Sequence, residues 1–164
     1  MSKKVILAIA SCAVAVLVAG VALSAESVKY TIHYPAGYRN WAHVKSMVIQ
    51  KGHPLFETFG GIHHVYANSR ALEAMKTGTP YPNGSILVFD LLEAKSENNA
   101  VTEGPRKMLY VMQKGATKFA VTGGWGFGGF KDDSKERAEI DPVKACFACH
   151  EEKKKNDYVF TNYR

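Results

Sequence analysis

Cys146-Phe147-Ala148-Cys149-His150 places two thiols three positions apart, with an imidazole directly after the second. Such a thiol pair can close a small disulfide, cycle as a redox couple or take a prosthetic group. The histidine narrows the choice, because C-x-x-C-H is the spacing of covalent haem attachment. On one helical turn the thiols reach the two vinyl groups along one porphyrin edge, and the imidazole lies beneath the ring, aimed at iron. Cys146 and Cys149 are then the thioether anchors of one haem c, and His150 is the axial ligand. The competing chemistry is a disulfide or a zinc site, and zinc would need a further ligand from scattered histidines.

The position of the motif carries a second inference. Only Glu151 to Arg164 follow it, with no Met and no His. A sixth iron ligand would have to come from upstream: Met47, Met75, Met108 or Met112, or His33, His43, His53, His63 or His64. The methionines sit among apolar neighbours as core fillers do, and the histidines read as surface or hydrogen-bonded groups. Tyr158 and Tyr163 are the remaining donors of a type that binds iron. The expectation is five-coordinate iron with an open face. Gly124-Trp125-Gly126-Phe127-Gly128-Gly129 matches G-x-G-x-x-G, but no βαβ pattern surrounds it. Its glycines read instead as a strand that bends and lets backbone approach a flat ligand, with Trp125, Phe127 and Phe130 packed nearby.

The elements that must position these residues follow from turn signals and alternation. Tyr34 to Trp41 reads as a turn feeding a short helix to about Val48. Ile62 to Ala67 is a short strand. Ser69 caps a helix over residues 70–76 that Gly78 ends. Pro82-Asn83-Gly84 turns into a strand over residues 85–92. Asn98-Asn99 and Gly104-Pro105 bracket a polar loop before a strand over residues 107–112. Phe119 to Phe130 is a further strand, and a helix over about 143–155 carries the haem motif, stopped by Asn156-Asp157. That order predicts an α+β fold, an antiparallel sheet with a few flanking helices.

The first 25 residues read as a targeting segment: Lys3 and Lys4, an apolar run from Val5 to Leu23, then Ser24 and Ala25. The run is also long enough to serve as an uncleaved membrane anchor. Residues 26–164 then form a single haem domain, exported to the periplasm of a Gram-negative bacterium. The formal net charge of +6 includes Lys3 and Lys4, and Lys153, Lys154 and Lys155 supply much of the rest. Without an arginine-rich stripe this is a poor nucleic-acid footprint; it suits solubility, or steering of an acidic redox partner protein.

The chain resembles the cytochrome P-460 family, and within it the cytochrome c′-beta branch. Tyr38-Arg39-x-Trp41, Val65-Tyr66, Lys76-Thr77-Gly78, the Gly84-to-Leu91 strand, Trp125-x-Phe127-x-x-Phe130, the haem motif and Asp157-x-Val159-Phe160-Thr161 carry the resemblance in this order. It implies a homodimeric, β-rich fold with five-coordinate c-haem. Hydroxylamine-oxidising members carry a lysine that cross-links to the haem edge, and the position similar to it here is Phe89. The resemblance implies that Phe59 and Phe89 cap the open iron face, with His63 near a polar pocket position and Trp125 nearby. The family's acidic distal group has no clear counterpart among Glu136, Glu139 and Asp141. Open iron under such rings favours NO and CO. Hydroxylamine oxidation and plain electron transfer remain the alternatives.

Overall fold

The structure is a computed structural model that describes residues 31–78 and 80–163. The leader expected over residues 1–25 lies outside the described residues. Five strands form one fully antiparallel sheet in sequential order: β1 (Ala42–Ile49), β2 (Gly61–Ala67), β3 (Ile86–Glu97), β4 (Ala100–Lys114) and β5 (Trp125–Lys131). Helix α1 (Phe56–Phe59) leads into β2, and α2 (Ser69–Thr77) crosses from β2 to β3. The α+β expectation holds, with helical turns carrying the haem motif after the last strand.

Several local expectations are corrected. Residues 42–49 form an edge strand, not a helix; Val44, Val48 and Ile49 are β-branched, and pairing with β2 decides the conformation. Only Tyr38–Asn40 makes a helical turn before it. Asn68, not Ser69, caps α2, its side chain accepting from the Ala71 amide at 3.0 Å. Asn98 and Asn99, at φ 51° and 61°, form the two-residue turn between β3 and β4. Gly104-Pro105 is no loop boundary: β4 runs through it where the β3 pairing shifts register, and an irregularity tolerates the missing proline N–H. The strand expected from Phe119 begins only at Trp125, after a helical turn at Ala120–Thr122.

Alternation along the strands gives the sheet two buried faces. One face packs Val65, Ala67, Leu87, Met112, Trp125 and Phe127 against Ala71 and Ala74 of α2, Tyr81 and Val159. The other packs Val88, Leu109, Val111 and Phe130 beneath Ile32, Tyr38 and Phe119. Gly126 and Gly128 of β5 serve this second face: a Cβ on Gly126 would lie 2.4 Å from the Phe119 ring. Both admit side chains from the chain itself, Phe119 and Ile32.

A buried ionic knot fixes the second face. The Tyr38 hydroxyl donates to Asp90 Oδ2 at 2.5 Å, Arg106 Nε donates to Asp90 Oδ1 at 2.9 Å, and Arg106 Nη2 donates to the Tyr38 oxygen at 2.7 Å. Burial, then the hydrogen bond and charge of Asp90, push the Tyr38 hydroxyl far above its ordinary range. Because Asp90 follows Phe89, the knot holds the strand segment that presents Phe89 to the other side. Arg106→Ala strands a buried carboxylate and should cost about 3–5 kcal/mol in urea unfolding. Replacing both partners, Asp90→Leu with Arg106→Met, should cost less than that single change; a larger cost would show that the pair itself is net stabilising.

Candidate functional site

The haem motif lies on a helical segment in three pieces. Asp141 Oδ1 caps its start, accepting from the Val143 and Lys144 amides at 2.9 and 3.1 Å, and Pro142 supplies a first residue with no N–H to satisfy. Wide π-type turns over Pro142–Phe147 pass into a single α-turn, α3 (Ala148–His150), and then into tighter turns over Glu151–Asn156. Cys146 is half-buried, Cys149 is exposed, and both thiols are free. Burial first, then the neighbouring Cys149 and Asp141, push the Cys146 thiol up to about 11, so it is protonated at neutral pH. Among the described residues, no group of three or more His, Cys, Asp and Glu is arranged to hold a metal ion. Among those residues the zinc alternative has no ligand set.

His150 is prepared as a neutral ligand. Its Nδ1 donates to the Tyr158 carbonyl at 2.7 Å, which leaves the lone pair on Nε2. Burial lowers its pKa, against the opposing pull of that hydrogen bond. Phe127 lies 5.1 Å from the imidazole and Phe160 5.0 Å, the latter edge-on at 82°. Phe147 closes the group, 5.5 Å from Tyr158.

A second aromatic group stands on the same sheet face. Phe59, at the end of α1, lies 6.1 Å from Phe89 and 5.7 Å from Tyr110, and Phe89 lies 5.9 Å from Tyr110. Phe89 packs against the apolar cluster that also holds Cys146 and Phe147. His63 stacks edge-on to Phe89 at 4.5 Å and is fully buried. Its Nε2 donates to the Phe59 carbonyl, and Nδ1 is a buried atom with no partner. Burial pulls the His63 pKa below its ordinary value, so Nδ1 is a bare acceptor.

The structure thus brings Phe59, Phe89 and His63 together, and Cys146, Cys149 and His150 together. Trp125 stands apart from the Phe59 group; fully buried, it donates from Nε1 to the Asp157 carbonyl at 2.8 Å. Tyr110 was not legible. The Asn98-Asn99 turn pairs Glu97 with Ala100, and counting back from it puts Met108 opposite Phe89; two register shifts put Tyr110 there instead. Burial first, and then the charge of Cys146, raise the Tyr110 hydroxyl above its usual pKa.

Of the other candidate iron ligands, Met108 is half-buried on β4 opposite Leu91, on the face that bears Tyr110. Met75 and Met112 pack in the apolar cluster that also receives Cys146 and Phe89, and Met47 is exposed on the edge strand. His43 and His64 lie on the opposite face in a chain of hydrogen bonds with Ser46 and Glu103. His33 and His53 are exposed. Of the acidic candidates, Glu136 pairs with Lys131 at 2.6 Å, Asp141 is the helix cap, and Glu139 is exposed.

Residues 35–161 match the family model described as Cytochrome P460. No curated protein matches the chain significantly. The family implies a haem cofactor, and the donor set here fits one: two unpaired thiols on adjacent turns, and a neutral imidazole whose Nε2 is left for metal by the bond that Nδ1 makes. Matched over most of its length and carrying the donors that such a group requires, the chain belongs to the cytochrome P-460 family.

Proposed function

We propose that this protein is a periplasmic monohaem c-type cytochrome of the c′-beta kind that binds small neutral gases, NO and CO, as a scavenger or buffer. Cys146 and Cys149 hold the porphyrin as thioethers, His150 holds the iron, and Phe59 and Phe89 cover the opposite face. The haem, when bound, supplies an iron with one coordination position left for a ligand. The observation that carries the reading is the Phe59–Phe89–Tyr110 group on the face that packs Cys146. Phe89 adds weight, since a phenyl ring has no nucleophile with which to cross-link a haem edge. His63 adds more, since its N–H is committed to the Phe59 carbonyl and donates nothing to a ligand. Neutral apolar gases need no donor.

Homodimer formation and export are part of the same proposal. The edge strand β1 leaves Met47 exposed on one face and Val48 on the other, which suits pairing along that edge with a second copy. One observation favours a second reading, hydroxylamine oxidation. The Tyr110 hydroxyl and the bare His63 Nδ1 are polar atoms beside the two phenylalanines, and a substrate bearing N–H and O–H bonds could use them.

Optical and resonance Raman spectra of the purified protein separate the readings. Gas binding predicts ordinary c-type pyridine haemochrome, high-spin ferric iron, a new ferrous spectrum with NO, and no consumption of hydroxylamine. Unchanged ferrous spectra under NO would end this proposal. Phe89→Ala should speed CO association about tenfold in flash photolysis, a barrier change of about 1.4 kcal/mol; an unchanged rate would remove Phe89 from the ligand path. The neutrality of His63 is tested through stability. Above the ordinary value of 6.5, folded and unfolded chains both hold it uncharged; below that, the unfolded chain gains a proton that the buried ring resists. Stability from this group is therefore complete at neutral pH and declines as the pH falls through about 6.5. His63→Leu should flatten that acid-side loss in urea unfolding, relative to the unaltered protein.

A further inference from the structure

The carbonyl that orients His150 belongs to a strained backbone. Asp157 and Tyr158 are consecutive non-glycine residues at φ 46° and 65°. Left-handed backbone costs about 1–2 kcal/mol per residue for L-amino acids, and a bulky aromatic adopts it rarely. Local hydrogen bonds hold the turn, from Asp157 N to Lys154 O at 3.1 Å and from Tyr158 N to Lys153 O at 2.8 Å. They do not tie it to the sheet.

Asp157 makes that tie at three points. Its Oδ1 pairs with Lys114 Nζ at 2.5 Å, its Oδ2 accepts from the Tyr81 amide at 3.0 Å, and its carbonyl accepts from Trp125 Nε1 at 2.8 Å. The Lys114 and Asp157 side chains are only 10 % and 20 % exposed, so solvent screens this pair less than a surface one. Lys114 also lies over the Trp125 ring at 5.0 Å. The next residue is seated by a glycine: a Cβ on Gly123 would lie 2.3 Å from the Tyr158 ring. Three separate elements therefore converge on one residue, and its neighbour's carbonyl accepts the proton of the imidazole.

We propose that Asp157, with Lys114, is a positioning residue for the haem-ligating imidazole: it pins the strained turn so that the Tyr158 carbonyl draws on the His150 Nδ1–H. This rests on the reading of His150 as the axial ligand. A hydrogen bond on the far nitrogen raises the basicity of a metal-bound imidazole and fixes its orientation. Electron donation from His150 stabilises the ferric state, so loosening the turn weakens that donation and favours the ferrous state.

Asp157→Asn keeps an acceptor for the Tyr81 amide and loses the ion pair; Lys114→Gln removes the cation alone. Both are expected to lower the Fe–His stretching frequency of the ferrous protein and to shift the ferric–ferrous equilibrium toward ferrous by up to about tenfold, Asp157→Ala shifting it further. Glu136→Gln, which removes only the exposed pair with Lys131, should move neither reading. If Asp157→Ala fails to load haem, the two milder variants decide the matter. An unchanged Fe–His band and potential in both would overturn the proposal. A missing Fe–His band in the unaltered ferrous protein would instead remove the assignment of His150.

Discussion

The pairing of β3 with β4 is the constraint from which the rest follows. It sets Phe89 opposite Tyr110 on one face and Asp90 opposite Leu109 on the other. One strand segment thus serves two purposes that cannot be separated. Slip the register by one residue and a buried carboxylate would face the haem side while a phenyl ring faced Arg106. The ionic knot of Asp90, Arg106 and Tyr38 therefore does more than satisfy its own members. It makes the wrong register expensive, because a buried charge without a partner costs several kcal/mol. Phe89 is held in place by chemistry on the far side of the sheet.

The haem side is built by a different logic. The sheet contributes a rigid wall, while the helical segment that bears Cys146, Cys149 and His150 is irregular throughout. π-type turns, one α-turn and tighter turns follow one another with no regular stretch longer than six residues. Such a segment has little helical stability of its own. Its order comes from the cap at Asp141, from Phe147 packed into the apolar cluster, and from the turn at Asp157 tied to the sheet. The proposed covalent attachment would suit this arrangement, since two thioethers would add constraints to a backbone short of them.

The haem motif, the fold class and the aromatic pair Phe59 and Phe89 were legible because each rests on a local pattern or on a resemblance in order. What failed was non-local. Residues 42–49 carry no strong alternation, and only pairing with β2 makes them a strand. Gly104 and Pro105 carry loop chemistry, yet the register shift beside them absorbs both within β4. Tyr110 was hidden for the same reason, since its partner depends on those shifts. Asp157 was legible as a helix stop, which it is; its tie to the sheet was hidden because its partners Tyr81, Lys114 and Trp125 are distant in sequence. Trp125 supports the turn that holds the carbonyl bonded to His150, a part that its place in the sequence does not disclose.

The two histidines of the haem side show how the backbone sets the chemistry of a side chain. Both are neutral because burial disfavours the charged ring, and both give their proton to a main-chain carbonyl. The difference lies in which nitrogen is left bare. In His150 the carbonyl takes Nδ1, so Nε2, the nitrogen at the end of the ring, is free to reach outward to metal. In His63 the carbonyl takes Nε2, and the bare Nδ1 lies close to its own backbone, buried without a partner. A group held that way offers a lone pair and no proton. It can accept from a ligand that carries hydrogen, and it gives nothing to one that does not. The Tyr110 hydroxyl is then the polar donor in the aromatic group, so under the proposed function the choice between gases and protonated substrates would turn on how closely that phenol approaches a ligand.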